Sequence, residues 1–131
     1  MRRAQCDCGQ LSAICEGEPV RVSVCHCLAC KRRTGSAFSW NARWPLAAVT
    51  VEGRHTAYTR IGDEGGRCTH RFCPDCGVSV FYDIDQMPGV IAIPVGAFAD
   101  ATFPAPTVSV YDPFRRCAWV EIGGKGVERR G

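Results

Sequence analysis

Ten cysteines in 131 residues, most of them in short clusters, constrain this chain more than any other feature. Cys6-x-Cys8, Cys25-x-Cys27-x-x-Cys30 and Cys73-x-x-Cys76 have the spacing of metal ligands. Disulfides are the rival explanation, and they belong to oxidising compartments. The stretch from Met1 to Cys6 runs directly into the first motif without the apolar segment of a secretion signal. The expectation is therefore a cytoplasmic protein with reduced thiols and metal centres.

The spacing also says how the centres are built. Residues two apart in a strand point to the same side, so Cys6 and Cys8 can face one ion. Cys73-Pro74-Asp75-Cys76-Gly77 reads as a knuckle, in which a left-handed Gly77 turns backbone N–H groups toward the sulfurs. One pair from each part of the chain gives four thiolates, the closed set of structural zinc. That ion ties residues about 65 positions apart, and the entropy of closing such a loop is large. In the denser motif, Cys25 and Cys27 share a face and Cys30 returns after one turn. Three sulfurs leave one corner of a tetrahedron open, which distinguishes catalytic from structural zinc. His26, Cys68 and His70 are the residues that could close it. Cys15 and Cys117 sit in apolar segments and read as small core residues.

The length suits one domain spanning residues 1–131, with a polar, glycine-rich end over 124–131 expected to fray. No apolar run is long enough for a membrane helix. The formal charge of +3 invites nucleic acid as a partner. Seven thiolates with two divalent ions remove about three charges, which argues against that partner. Short basic runs such as Lys31-Arg32-Arg33 read first as solvated faces. The oligomeric state has no signature.

Brief apolar segments rich in valine, isoleucine and aromatics, punctuated by glycine and proline, predict a mainly β, mostly antiparallel assembly with little helix. Strands are expected at Leu11–Cys15, Arg21–Cys25, Ser36–Arg43, Val49–Glu52, His55–Arg60, Val78–Tyr82, Val90–Pro94, Thr107–Tyr111 and Cys117–Ile122. Alternation places Val78, Val80 and Tyr82 on one face. Leu28–Arg33 has room for one helical turn. Residues 62–66 read as a turn and 100–106 as an extended connector.

Three ordered motifs carry a resemblance: Cys6-Asp7-Cys8-Gly9, then Cys25-His26-Cys27-Leu28-Ala29-Cys30-Lys31-Arg32 with Thr34-Gly35-Ser36, then Arg71-Phe72-Cys73-Pro74-Asp75-Cys76-Gly77. In these the chain resembles the glutathione-dependent formaldehyde-activating enzyme family, which includes centromere protein V-like domains. The resemblance implies a β-tent-like fold with two zinc ions. Cys6, Cys8, Cys73 and Cys76 would hold the structural ion, and Cys25, Cys27 and Cys30 the catalytic one. It also implies a carbon–sulfur lyase that joins glutathione and formaldehyde as S-hydroxymethylglutathione. One departure is Ser109, which stands where the family commonly has a histidine.

On this expectation a thiol such as glutathione and an aldehyde are the small-molecule partners. Arg32 and Arg33, next to Cys30, are candidates to bind the carboxylates of the thiol. Phe38 and Trp40 read as core rather than pocket. The alternative is a non-catalytic zinc-binding or redox-sensing module.

Overall fold

The computed structural model describes residues 1–123 and 126–131. Its strands are β1 (Arg2–Gln5), β2 (Ser12–Cys15), β3 (Arg21–Cys25), β4 (Ser39–Pro45), β5 (Val49–Glu52), β6 (Thr56–Ile61), β7 (Arg67–Phe72), β8 (Ser79–Ile84), β9 (Val90–Pro94), β10 (Val108–Val110) and β11 (Glu128–Arg129). One α-helix, α1 (Leu28–Thr34), follows β3. The strands form an antiparallel three-stranded sheet, β1-β2-β5, and an open eight-stranded sheet ordered β11-β10-β3-β4-β9-β8-β7-β6. β10 pairs in parallel with both β3 and β11, and the other pairings are antiparallel. The mainly β assembly expected from the sequence is present.

Strand alternation gives the large sheet two chemically distinct faces. Val22 of β3, Ala42 and Trp44 of β4, and Ile91 and Ile93 of β9 are buried in one cluster with Ala4 and Ala13 of the small sheet and with Leu11, just before β2. This is the main core, and it lies between the two sheets. Phe98 and Phe103 stack at 5.1 Å beside Trp44, whose indole Nε1 donates to the carbonyl of Gly17 at 3.1 Å. The intervening residues of the same strands carry polar groups: Arg21, Ser23 and Cys25 on β3, and Ser39, Asn41 and Arg43 on β4. Their parity alone puts them opposite the core.

The expected common face of Val78, Val80 and Tyr82 needs correction. The β7–β8 register pairs Phe72 with Ser79 but Arg71 with Phe81, so Val80 is an extra residue in the ladder. This bulge reverses the alternation. Val80 and Phe81 both enter the core, while Tyr82 turns to the polar face.

Three further expectations change. Residues 117–122 form no strand. A turn bonds the amide of Val120 to the carbonyl of Cys117 at 2.9 Å and folds Val120 and Ile122 onto Val24 in a second small core. β7 appears where no strand was expected, and β1 ends at Gln5, so a turn rather than strand alternation brings Cys6 and Cys8 together. The frayed end is corrected in part: β11 pairs with β10, and the Arg130 amide donates to the Ser109 carbonyl at 2.7 Å, while residues 124–125 lie outside the described set.

Candidate metal centres

Cys6, just past the end of β1, and Cys8 in the following turn meet Cys73 and Cys76 from the turn between β7 and β8. Their four sulfurs lie within 4.8 Å of one another. Cys6 Sγ is 3.6 Å from Cys8 Sγ, which is 3.7 Å from Cys73 Sγ. A tetrahedron with zinc–sulfur bonds of about 2.3 Å has edges of about 3.8 Å, so the set has the right size for zinc. Gly77, at φ of 80°, is left-handed as expected, and Gly9 after Cys8 is too, at 83°. The knuckle closes with the Gly77 amide on the Cys73 carbonyl at 2.8 Å.

N–H groups converge on these sulfurs. Leu11 N donates to Cys6 Sγ at 3.3 Å, and Gln10 Nε2, Asp75 N and Cys76 N donate to Cys73 Sγ at 3.0, 3.4 and 3.5 Å. Burial raises the Cys73 thiol, but the bonds from Gln10, Cys76 and Asp75 outweigh it and bring it down to about 6. The centre joins the small sheet to the large one.

The second cluster comes from consecutive residues. Cys25 ends β3, Cys27 caps α1 by accepting the Cys30 amide at 3.3 Å, and Cys30 sits in the first turn of the helix. The three sulfurs also lie within 4.8 Å of one another. Hydrogen bonds from Cys25 and Cys27 pull the Cys30 thiol down to about 2, and bonds shared with Cys27 and Cys30 push Cys25 far up. Sulfurs packed this closely cannot all be thiolates unless a cation neutralises them. The soft donor sets of both clusters suit zinc. No other histidine, cysteine or acid among the described residues joins the three. Cys68 and His70 stand outside, and His26 points elsewhere.

The two clusters differ most in what they face. Cys25, Cys27 and Cys30 line a cavity of ≈ 850 Å³, whereas none of the four other ligands reaches it. Its wall is the polar face of the large sheet. One row crosses six strands in register: Arg21 opposite Arg43, Arg43 opposite Ala92, Ala92 opposite Tyr82, Tyr82 opposite His70, and His70 opposite Tyr58. Arg32 and Arg33 also line the cavity, as does Arg60. The Arg33 guanidinium lies over the Tyr82 ring at 5.7 Å. His70 packs on Tyr82 at 4.9 Å, and burial, with Arg33 and Arg60 nearby, lowers it to about 4, so it is neutral at pH 7.

None of Arg21, Arg32, Arg33, Arg43 and Arg60 is in an ion pair among the described residues. Elsewhere arginines hold carboxylates, as Arg2 holds Glu18 and Arg115 holds Asp63. The cavity thus sets five unpaired arginines beside three sulfurs, with Asp63, held by Arg115, and Glu64 as the carboxylates of its lining. Sequence reasoning placed Arg32 and Arg33 by their adjacency to Cys30 but missed Arg21, Arg43 and Arg60. Their signal was parity: Arg21 and Ser23 precede Cys25 at alternate positions. Phe38 and Trp40 pack against the cores, as read from the sequence, and do not line the cavity.

Behind the open cluster runs a buried polar chain. His26 Nε2 lies 2.9 Å from Ser109 Oγ, which donates to Asp112 Oδ2 at 2.9 Å. Arg116 and Arg129 hold the same carboxylate at 3.0 and 2.9 Å. Burial would raise Asp112, but the bonds from Arg116, Ser109 and Arg129 keep it below the usual carboxylate range. Ser109 is fully buried and turned away from the cavity.

Comparison with known proteins agrees with this geometry. A crystal structure of a Rhodobacter sphaeroides protein shares the fold, with a TM-score of 0.58 at 23% identity over 72% of this chain and 85% of that one. No curated protein matches the chain. The profile of the family described as "Glutathione-dependent formaldehyde-activating enzyme" matches residues 1–113, which include both sulfur clusters. The chain belongs to the glutathione-dependent formaldehyde-activating enzyme family.

Proposed function

We propose that the protein is a zinc-dependent carbon–sulfur lyase acting on the adduct of a thiol and an aldehyde, of the S-hydroxymethylglutathione type. The observation that carries this reading is the three-sulfur cluster of Cys25, Cys27 and Cys30 opening into a cavity of unpaired arginines. Cys6, Cys8, Cys73 and Cys76 hold the structural zinc, and Cys25, Cys27 and Cys30 the reactive one.

Zinc at the open cluster would supply a Lewis acid that favours the thiolate form of a substrate thiol. The chain's own residues do the rest. Arg32 and Arg33 draw the carboxylates of a glutathione-like thiol toward the mouth of the site and help orient its sulfur. Tyr82 and His70 form a wall of largely buried rings that limits water around the reacting carbon. His70 stays neutral there, so it adds no charge that would compete with the arginines.

Titration calorimetry in two buffers of different ionisation enthalpy tests the reading. Glutathione should bind the metallated protein with release of a proton, and Cys27→Ser should abolish that release. Turnover of glutathione with formaldehyde should vanish in the same variant. A fully metallated protein that binds no thiol would leave the zinc-binding or redox-sensing module as the better description.

A further inference from the structure

The arginines beside the sulfur cluster sit where a substrate enters, but Arg21 and Arg43 occupy a different place. They face each other across β3 and β4, four residues along β3 from Cys25, which is about 13 Å of strand. Arg43 is 9% exposed and Asn41 2% exposed, and both line the cavity. Arg21 Nε, Arg43 Nη1 and Asn41 Oδ1 are all buried with no hydrogen-bond partner. Ser23, opposite Asn41 in the register, lines the cavity between the arginine pair and Cys25.

Two guanidiniums facing each other without a carboxylate repel, and burial adds to the cost. Burial, Arg43 and Arg130 together lower the tendency of Arg21 to carry its charge. Buried polar groups left unpaired are rare because nothing replaces their lost water. A ligand carboxylate between the two guanidiniums would remove the repulsion and fill their donor sites. Asn41 has already committed its Nδ2 to Ser39 Oγ at 2.9 Å, so its Oδ1 offers an acceptor. The ligand group that satisfies the whole set has a carboxylate with an N–H one carbon away. Both the amino-acid head of a γ-glutamyl group and the C-terminal residue of a peptide have that form.

We propose that Arg21 and Arg43, with Asn41, form a carboxylate subsite at the far end of the cavity. The subsite selects thiols that carry a carboxylate and its neighbouring N–H at peptide length from the sulfur. This rests on the proposed function, because it takes Cys25, Cys27 and Cys30 as the sulfur end. The length fits: an extended tripeptide spans about 10 Å, and the two arginine side chains close the remainder. A small uncharged thiol would reach the sulfur end and leave the arginine pair unsatisfied.

Two probes separate the ends in calorimetry on the metallated full chain. S-methylglutathione has both carboxylates and a blocked sulfur, whereas 2-mercaptoethanol has a free thiol and no carboxylate. Arg21→Gln should weaken S-methylglutathione binding at least tenfold and leave 2-mercaptoethanol binding unchanged. Arg43→Lys, which keeps the charge but not the fork, should give a smaller loss of the same kind. Removing the seated group from the ligand should cost wild-type affinity, and Arg21→Gln should erase that cost. The C-terminal amide and the 4-aminobutyryl analogue, which lacks the γ-glutamyl α-carboxylate, therefore show which end is seated. If Arg21→Gln binds S-methylglutathione as wild type does, or if it weakens both probes equally, the subsite is wrong. If 2-mercaptoethanol fails to bind while S-methylglutathione still depends on Arg21, the sulfur-end reading fails and the carboxylate subsite stands.

Discussion

The two sulfur clusters use the same ligand in opposite ways. Cys6, Cys8, Cys73 and Cys76 are drawn from sites about 65 residues apart and join two sheets, so an ion held there would close the fold. Cys25, Cys27 and Cys30 are neighbours in sequence and join nothing distant. In the first cluster the thiolate charge is spread onto N–H groups of Leu11, Gln10, Asp75 and Cys76. In the second cluster the Cys30 amide donates to Cys27 and the Cys27 amide and Ser39 hydroxyl reach Cys25 and Cys30, but the cavity beside it adds five arginines that are in no ion pair among the described residues. Backbone donors fixed at a sulfur leave nothing for a ligand, while unpaired side-chain cations leave almost everything. On the proposed function, the difference between the structural and the reactive site lies in where the compensating charge is stored.

The largest expected effect breaks this comparison if it fails. Cys73→Ser should remove the structural ion, whose apparent binding energy is on the order of 10 kcal/mol, and leave no cooperative thermal transition at 25 °C or above. Cys27→Ser should keep a cooperative transition and lose one zinc of two by elemental analysis. Comparable thermal losses in the two variants would erase the division between the sites.

A smaller effect sharpens the cavity side. His70 is lowered to about 4 in the fold from 6.5, so the unfolded chain takes up its proton first as pH falls. Its contribution is complete above pH 6.5 and is lost progressively toward pH 4. After allowance for solvent screening it amounts to about 2 kcal/mol. His70→Phe should flatten the acid limb of a denaturant-stability profile by about that much. Metal loss at low pH affects both proteins, so the difference between their profiles isolates His70.

Next is the support behind the open cluster. Ser109→Ala deletes the links from His26 and to Asp112 and should cost about 1–2 kcal/mol in denaturant unfolding. The zinc content of the four-sulfur site should not change. A loss of that ion in Ser109→Ala would mean that the two centres are coupled through the sheet.

The smallest effect is electrostatic. Glutathione affinity should fall a few-fold as salt is raised above physiological ionic strength, because exposed Arg32 acts through solvent. Arg32→Ala should flatten that dependence. An unchanged slope would remove Arg32 from recognition.

Much of this was legible in the sequence, for physical reasons that can be named. β3, β5 and β9 have the boundaries read from the sequence, because each is a short β-branched run between turn residues. The sulfur clusters were legible because ligand spacing is local. β7, Arg67-Cys68-Thr69-His70-Arg71-Phe72, was not, because its charged residues are stabilised by pairing with both β6 and β8. β11 depends on β10 and on the ion pair from Arg129 to Asp112 in the same way. The Val80 bulge left no mark in composition. Arg21 and Arg43 meet only through the β3–β4 register, and cross-strand register is what a single sequence conceals most effectively.

The parity of the large sheet has a consequence for how such a protein can change. Even positions of β3 and β4 pack into the two cores, and the odd positions Arg21, Ser23, Cys25, Asn41 and Arg43 face the cavity. The strands are therefore two interleaved texts, one written in hydrocarbon for stability and the other in polar groups for ligands. Either can be edited by substitution without rewriting its neighbour. Insertions and deletions lack that freedom, since one residue gained or lost within β3 or β4 would exchange the two texts along the rest of the strand. Ligand preference in this scaffold should drift by point substitution at alternate positions, with length changes confined to the turns. Val80 is the exception already installed: that one residue moves Tyr82 from the text of the core to the text of the cavity.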